Sequence, residues 1–293
     1  MTSIIVRTES QLLAAAAASR EADVSIRLMR TIEVMPGIIC GRADLTTEVY
    51  GGGLDWSGYA SRWPNGELDQ AGVLFRGNVD LHDAALYGYN GSASAVKWDS
   101  TRGNWVRVQR CEAAFTGTKQ LGWLGGDRDL GQRGRTQVYE GHNDPDVVEI
   151  RDCKFVGCCI NEESLSHCTY ADGNVVALSG NRYVNCGNPW GAWGQVLSII
   201  GEHVYRPVYC DDIRTDTARY PRMLIVSKNQ PAFTFCLNRI EGSVSGYSWG
   251  LPKSGSRFYG NDLTGMTVTD WWAWDHATNA AVNKEVWDSK GLR

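Results

Sequence analysis

The segment VEIRDCKFVGC at residues 148–158 returns 28 residues later as VALSGNRYVNC at residues 176–186. In both copies apolar and polar residues alternate until a small or amide residue, Cys153 or Asn181, interrupts them, and an aromatic residue follows two positions later. Alternation indicates a half-buried β-strand, and the interruption indicates a bend into a second strand. The two copies therefore predict equivalent, stacked turns of chain in which Phe155 lies against Tyr183.

Shorter copies of this template occur on both sides of the pair. FCLNRIEG at residues 235–242 returns 23 residues later as FYGNDLTG, and VRVQRC at residues 106–111 is an earlier copy. A spacing of 23 to 28 residues without intervening helices favours coils of stacked parallel strands over alternating strands and helices. A β-sandwich is the main alternative, and it would need hairpin turns between the strands.

We therefore predict an all-β fold, a single-stranded right-handed parallel β-helix with about eight coils between Gly72 and Gly265. Asn181, Asn238 and Asn261 fall at the bends, where an amide can adopt a left-handed backbone and hydrogen-bond to the neighbouring coil. Residues 36–265 would form this β-helix.

The N-terminal segment is expected to close the first coil. Thr8 is a predicted helix N-cap, Gln11 follows three residues later, and helix-forming residues continue to Arg20. Residues 1–35 would thus hold a capping α-helix and the first strands, which shields an open sheet edge. Residues 266–293 lack the template and would pack on the last coil or on a partner.

Composition and charge narrow the function classes. The net charge of −4 provides no basic surface for nucleic acid or for an anionic membrane. No apolar run reaches the roughly 18 residues of a membrane span, and we find no signal peptide at the N-terminus. The nine cysteines include no CxxC pair, so reduced thiols are expected rather than a zinc site.

One third of the chain resembles the pectate lyases. The segment ARYPRMLIV at residues 218–226 is similar to the R-x-P-x-x-R coil of that family, residues 148–155 to its W-I-D-H-C-x-F coil, and Trp193 to Gly201 to its D-K-x-x-L-I-G strand. The resemblance implies a right-handed parallel β-helix and calcium-dependent β-elimination on a uronate polymer. Arg219 would remove the proton α to the carboxylate.

The same resemblance implies the other site residues. Arg222 and Gln195 would bind substrate, and the carboxylates of Asp172 and Asp152 would bind calcium. This sequence departs from the family at four points: it has Leu224 for the second motif arginine, Gln195 for a lysine, Val176 for a calcium carboxylate, and the pair Arg151-Asp152 for Asp-His. Because protonated arginine needs the metal to acidify the substrate, lost ligands would abolish the reaction.

Acidic and aromatic residues provide further candidates. A set of carboxylates could serve hydrolysis as acid and base, or be ordinary solvated charges: Asp144, Asp146, Glu149, Asp152, Glu162 and Glu163. Trp190 and Trp193, in a predicted loop, could stack on sugar rings. Three large rings close together near the C-terminus are expected to bind a partner protein: Trp271, Trp272 and Trp274.

Weighing these features, we predict a non-catalytic structural or carbohydrate-binding β-helix protein without a cofactor. It would be a virion-type component, such as a phage decoration or tail-associated protein, located in the virion or in the cytoplasm before assembly. Its partners would be a polysaccharide or a capsid or tail protein, and it would assemble as a homo-oligomer or within a larger structure. The alternative is a polysaccharide lyase that requires calcium.

Overall fold

The computed structural model describes residues 1–59, 71–90, 94–116, 137–142, 145–160, 167–205, 222–225, 232–241, 244–248, 257–259 and 266–267. These residues form parallel strand pairs and one α-helix near the N-terminus, so the predicted all-β class is confirmed. In chain order the elements are β1 (Thr2–Val6), α1 (Glu9–Ser19), β2 (Val24–Leu28), β3 (Thr31–Glu33), β4 (Ile38–Tyr50), β5 (Gly53–Asp55), a 3₁₀ turn (Ser57–Tyr59), β6 (Val73–His82), β7 (Ala85–Tyr87), β8 (Ser94–Asp99), β9 (Trp105–Gln109), β10 (Glu112–Ala114), β11 (Gln137–His142), β12 (Val147–Arg151), β13 (Lys154–Val156), β14 (His167–Ser179), β15 (Arg182–Val184), β16 (Asn188–Ile200), β17 (His203–Tyr205), β18 (Arg222–Ile225), β19 (Ala232–Cys236), β20 (Arg239–Glu241), β21 (Val244–Ser248), β22 (Arg257–Tyr259) and β23 (Met266–Thr267).

Helix α1 begins at the predicted cap. The side chain of Thr8 accepts a hydrogen bond from the backbone N–H of Gln11 at 3.3 Å, and the side chain of Gln11 accepts one from the N–H of Arg7 at 2.8 Å. These bonds satisfy N–H groups that have no partner inside a helix. In the last turn, Ser19 Oγ accepts from the N–H of Gly41 at 2.8 Å. The helix is thereby held against β4, and it also contacts β1 and β2.

Long strands contribute to two walls of the structure. Residues 73–76 of β6 pair with β8, whereas residues 79–82 of the same strand pair with β9. Strand β14 repeats this arrangement with β11 and β12. We call the sheet that contains the earlier halves of these long strands, together with β8 and β11, the first wall. The sheet that contains their later halves, together with β9 and β12, is the second wall. At the first corner between them, Gly77 has a φ of +82°, and a Cβ there would lie 2.0 Å from the carbonyl oxygen of Arg42, so only glycine fits.

Among the described residues, the second wall is the longest ladder. It is built from β1, β2, residues 46–50 of β4, residues 78–82 of β6, β9, β12, residues 175–179 of β14, residues 196–200 of β16, β19 and β22. A separate three-stranded sheet contains β18, β21 and β23.

The third wall is an eight-stranded sheet whose strands follow one another in chain order: β3, β5, β7, β10, β13, β15, β17 and β20. Each of these strands defines one level of the stack. Two of them, β3 and β5, precede Gly72, so the stacking begins earlier than the repeated template predicts. The repeat does not identify the first levels because their bends contain Arg30 and Gly52, whereas the later copies have Cys or Asn there.

The interior is one continuous apolar column that extends from Val6 to Phe235. Phe155 pairs in register with Tyr183, and their rings stack with centroids 4.7 Å apart and an interplanar angle of 7°. The repeat predicts that Phe155 lies against Tyr183, and this prediction is confirmed. Tyr183 in turn meets the edge of Trp190, with a centroid separation of 5.6 Å. Aromatic burial therefore links successive levels along the stack.

A second corner joins the second wall to the third, and it has the same backbone conformation at seven levels. The equivalent position has a positive φ at each of these levels: Gly51, Asp83, Arg110, Asp152, Gly180, Gly201 and Leu237. At the first of them Gly52 has a positive φ as well. The predicted bend residues Asn181 and Asn238 directly follow this corner position and have no positive φ, so the left-handed backbone predicted for them is wrong; Asn261 lies outside the described residues. A single left-handed residue turns the chain from the second wall into the third, and the next side chain then points inward.

The amides at this corner form the predicted hydrogen bonds between levels. Asn181 Oδ1 accepts from the backbone N–H of Cys153, and Asn181 Nδ2 donates to the carbonyl oxygen of Ile150, both at 2.9 Å. Asn238 makes the equivalent bonds one level beyond Glu202, to the N–H of Glu202 at 2.8 Å and to the carbonyl oxygen of Ile199 at 3.0 Å. Each amide satisfies backbone groups that the corner removes from the ladder.

Candidate functional site

Several predicted site residues lie outside the described side chains. The described ranges do not include Arg219, Trp271, Trp272 and Trp274. Arg222 lies in β18, and Trp193 and Gln195 lie in β16, where the backbone alone is described. The roles expected for these residues stay predictions.

Trp190 is not the exposed aromatic platform that the sequence predicts. It lies inside β16, where it pairs with Thr169 of β14, and its side chain is 0% exposed. Its ring packs against Tyr183 and Phe235. Because the indole fills the core, it cannot stack on a sugar outside the wall. The predicted sugar-binding role of Trp190 is therefore wrong.

The two predicted calcium ligands lie in different parts of a level. Asp152 is exposed at the second corner, where its Oδ1 faces the backbone of Gly180 at the end of β14. Asp172 lies in the first-wall part of β14, in register with Trp193, and is 9% exposed. Asp172 therefore lies eight positions before Gly180 in the chain, in a different wall from the corner that holds Asp152. Within the described residues, no group of three or more His, Cys, Asp or Glu side chains is arranged to hold a metal ion.

The outer face of the second wall carries the richest polar cluster among the described residues. Its members come from five neighbouring strands and connect through side-chain contacts, and we call them the second-wall lattice: Ser25, Glu48, His82, Asp83, Arg107, Gln109, Arg110, Glu149 and Arg151. The pleat of the strands places the lattice residues that lie within them outward, whereas Val108 and Ile150 between them are buried.

At one end, carboxylates surround a histidine. His82 Nε2 lies 3.2 Å from Glu48 Oε1, and His82 Nδ1 lies 2.8 Å from Asp83 Oδ2. Ser25 Oγ donates to the second oxygen of Glu48. The ring of Tyr50 stacks on the imidazole, with centroids 5.1 Å apart. The histidine is thus fixed in orientation by two carboxylates and one aromatic ring.

These contacts shift the pKa values of the cluster in opposite directions. Burial alone would lower the pKa of His82, but the hydrogen bonds to Asp83 and Glu48 raise it. Burial acts to raise the pKa of Glu48, and the bonds from Ser25 and His82 outweigh it and lower that pKa. Asp80, in register with Glu48 one strand away, has a raised pKa because it is partly desolvated. Neighbouring carboxylates of this kind can hold a proton on one and a charge on the other.

At the other end, arginines are interleaved with acceptors. Arg110 donates from Nε and a terminal nitrogen to the two oxygens of Asp83 at 2.8 and 2.7 Å, and this fork holds the pKa of Asp83 well below its usual range. Arg151 donates to Gln109 Oε1 at 2.9 Å and lies 3.7 Å from Glu149. The positive charges of the lattice are therefore compensated locally by carboxylates.

An outward apolar strip runs beside the lattice. It consists of residues that pair in register through four strands: Trp105, Val147, Val175 and Val196. The guanidinium of Arg107 lies 4.6 Å from the centre of the Trp105 ring. Val196, at 53% exposure, is among the most exposed large apolar residues described. The second wall thus presents a flat face with one polar and one apolar column side by side.

Sequence reasoning identified Glu149 as a candidate carboxylate but missed the other residues of this face. Aspartate and histidine at positions 80 and 82, on either side of the buried Leu81, mark an outward polar edge, but a search for histidine pairs four residues apart passes over them. Arg110 and Asp83 are 27 residues apart in sequence. The signal that could have found them is the strand register, which places residues of successive levels next to one another.

Comparisons with protein-family models, with curated proteins and with solved structures find no match to this chain. No helix within the described ranges is long and apolar enough to cross a membrane.

Proposed function

We propose that the chain is a single-stranded right-handed parallel β-helix, related to the pectate-lyase-like proteins, and that it binds a carbohydrate or another extended surface without catalysis. The ordered third wall, the parallel register and the repeated second corner support this architecture. The observation that carries the function is the second-wall face, where a charge-compensated lattice lies beside the strip of Trp105, Val147, Val175 and Val196.

The chemistry of this face suits a sugar chain. Carboxylates, guanidinium groups and amides supply fixed donors and acceptors for hydroxyl groups, and an indole covers apolar C–H surface. Because the lattice charges are mutually paired, the face presents dipoles rather than a net charge, which favours a neutral glycan over a polyanion. The columns repeat at the strand spacing of roughly 4.8 Å, so an extended polymer can contact groups on successive levels at regular intervals.

The biological setting of the proposal is a virion-type assembly. The protein would attach to a polysaccharide or to a capsid or tail protein, as a homo-oligomer or within a larger structure, with Trp271, Trp272 and Trp274 toward the partner. It would require no cofactor. Light scattering of the purified protein tests this part, and a persistent monomer without a partner would argue against it.

Binding is tested with a panel of neutral and acidic polysaccharides by affinity electrophoresis and calorimetry. Trp105→Ala should weaken binding roughly tenfold or more, because aromatic anchors dominate such contacts. Tyr87→Ala is the matched control, since Tyr87 is a half-buried outward aromatic residue on the third wall. Equal losses in the two variants would contradict the assignment of the second-wall face.

The lyase reaction is tested in parallel. The protein is incubated with polygalacturonate or alginate and calcium, and unsaturated product is followed by ultraviolet absorption. Product that forms with the natural chain and disappears in Arg219→Ala would overturn the non-catalytic proposal. A chain that binds a polysaccharide and forms no product supports it.

A further inference from the structure

Two pairs of cysteines are stacked across neighbouring levels of the core. Cys111 and Cys153 stand at the second corner, each directly before the strands that pair from Glu112 and Lys154. Cys158 and Cys186 stand two residues after the register pair of Val156 and Val184. All four thiols are free and at most 2% exposed. Each pair therefore joins equivalent positions of two consecutive levels.

In both pairs the sulfur atoms point along the stack toward the preceding level: Cys111 Sγ donates to the carbonyl oxygen of Leu81 at 3.6 Å, and Cys158 Sγ donates to that of Ala113 at 3.4 Å. Cys153 Sγ reaches the carbonyl oxygen of Val108, in the level of Cys111, at 3.8 Å. Cys186 Sγ accepts from the backbone N–H of Cys158 at 3.5 Å. The sulfur of the later cysteine in each pair is therefore directed at the level of the earlier cysteine. In-register residues of adjacent parallel strands lie about 4.8 Å apart at Cα, inside the range of roughly 4.4–6.8 Å that a disulfide spans.

We propose that these two pairs are oxidation sites at which a small disulfide, such as glutathione disulfide, forms the inter-level bonds Cys111–Cys153 and Cys158–Cys186. In the first step a cysteine thiolate attacks the small disulfide, which gives a mixed disulfide and one reduced glutathione. The second thiolate then attacks the cysteine sulfur of the mixed disulfide and releases the second glutathione. Two protein thiols are oxidised, one disulfide is reduced to two thiols, and the two protons leave with glutathione.

The environment of the first pair assigns the order of attack. The hydrogen bond from the Cys153 thiol lowers the pKa of Cys111, whereas burial raises the pKa of Cys153 well above its ordinary value. Cys111 is therefore the first nucleophile, and Cys153 resolves the mixed disulfide. Since both thiols are covered, the first step requires a local opening of the corner beside Arg110 and Asp152.

A bond between Cys111 and Cys153 would close a long segment of chain. It joins the residues directly before β10 and β13 and encloses the whole segment between them, including residues 117–136. The bond therefore lowers the conformational entropy of the unfolded chain. A loop of this length should raise the Tm on the order of 10 °C in the oxidised protein. Reduction would return the protein to its lower Tm.

The test uses the natural chain. The folded protein is equilibrated with glutathione disulfide, remaining thiols are alkylated, and the unreduced digest is mapped by mass spectrometry. We expect peptides joined through Cys111–Cys153 and through Cys158–Cys186. Free thiols at Cys111 and Cys153 after equilibration would overturn the proposal, and a bond from Cys186 to Cys168, which also contacts it, would overturn the second pair.

Variants separate the bond from the general effect of oxidation. Cys153→Ser should abolish the first cross-link and its share of the Tm increase, and leave glutathione on Cys111. Cys40→Ser is the matched control, because Cys40 is equally buried but has the Ser19 hydroxyl, and no second thiol, as its side-chain hydrogen-bond partner. The control variant should keep both cross-links. Mapping of the natural chain decides the question even if Cys153→Ser fails to fold.

Discussion

The ring of Phe155 lies flat on the ring of Tyr183, one level further along the stack, with their planes 7° from parallel. The contact joins two levels at the centre of the core, where Phe155 is 0% exposed. Phe155→Ala should reduce the free energy of unfolding by about 3 to 5 kcal/mol, because it leaves a cavity in the column. Urea denaturation measures this loss. Phe115→Ala is the control, since Phe115 is 60% exposed, and a comparable loss there would contradict the packing argument.

Glu202 makes stability depend on pH. The carboxyl group is buried at the second corner, where it accepts from Tyr183 OH at 2.9 Å and from the N–H of Asn181 at 3.0 Å. Burial raises the pKa of Glu202 from 4.5 to about 8. In the unfolded chain the group ionises near 4.5, so the stabilisation is complete below that pH and is lost as the pH rises toward 8.

Glu202→Gln should remove this dependence. The neutral amide needs no proton, so the variant should be more stable than the natural chain by about 2 to 4 kcal/mol at pH 7.5, and nearly equal to it at pH 4.5. Denaturation at several pH values measures the difference. Glu33→Gln, at an exposed outward position of the third wall, is the control that should leave the profile unchanged. Parallel profiles for the natural chain and Glu202→Gln would contradict the assignment.

The left-handed residues of the second corner predict a graded effect at Gly201. Its φ is +67°, and an added Cβ would meet no heavy atom closer than 3.9 Å, so space is available but the conformation is strained. Gly201→Ala should destabilise the fold by about 1 kcal/mol. Gly201→Asn should lose less, because asparagine tolerates this conformation better. Equal losses, measured by thermal unfolding, would mean that backbone strain does not decide the substitution.

Asp83 should control the protonation of His82. Because its hydrogen bond raises the pKa of His82, Asp83→Asn should lower that pKa, and NMR titration of the imidazole measures the change. Asp55→Asn provides the comparison, since Asp55 lies on the third wall and not in the lattice. An unchanged His82 pKa in Asp83→Asn would show that Glu48 alone sets it.

The repeated template predicts the core well because burial and bending are local properties of the sequence. Val148, Ile150 and Phe155 alternate with polar residues, and all three are buried. The same reasoning fails for Trp190, which it places in a loop. Proline and glycine flank it and indicate a loop, yet β16 runs through them as one strand of 13 residues from the first wall into the second. Turn residues in a sequence do not distinguish a loop from a wall strand that passes a corner.

The candidate site could not be read from the sequence for a different reason. Gln109 and Arg151 are 42 residues apart, and the distance between Asp83 and Arg110 in the chain is 27. Levels of unequal length carry these contacts, so no fixed spacing reveals them. Only the pairing of strands in register decides which outward side chains become neighbours.

The parallel register of the second wall also determines how the molecule would respond to force. Its hydrogen bonds run from one level to the next, so a pull applied at the two ends loads the levels in series rather than side by side. The terminal level should unfold first, and the remaining levels should then unfold one after another at similar forces. A molecule that is held at one end and bound along the wall would thus lengthen stepwise under force instead of unfolding all at once.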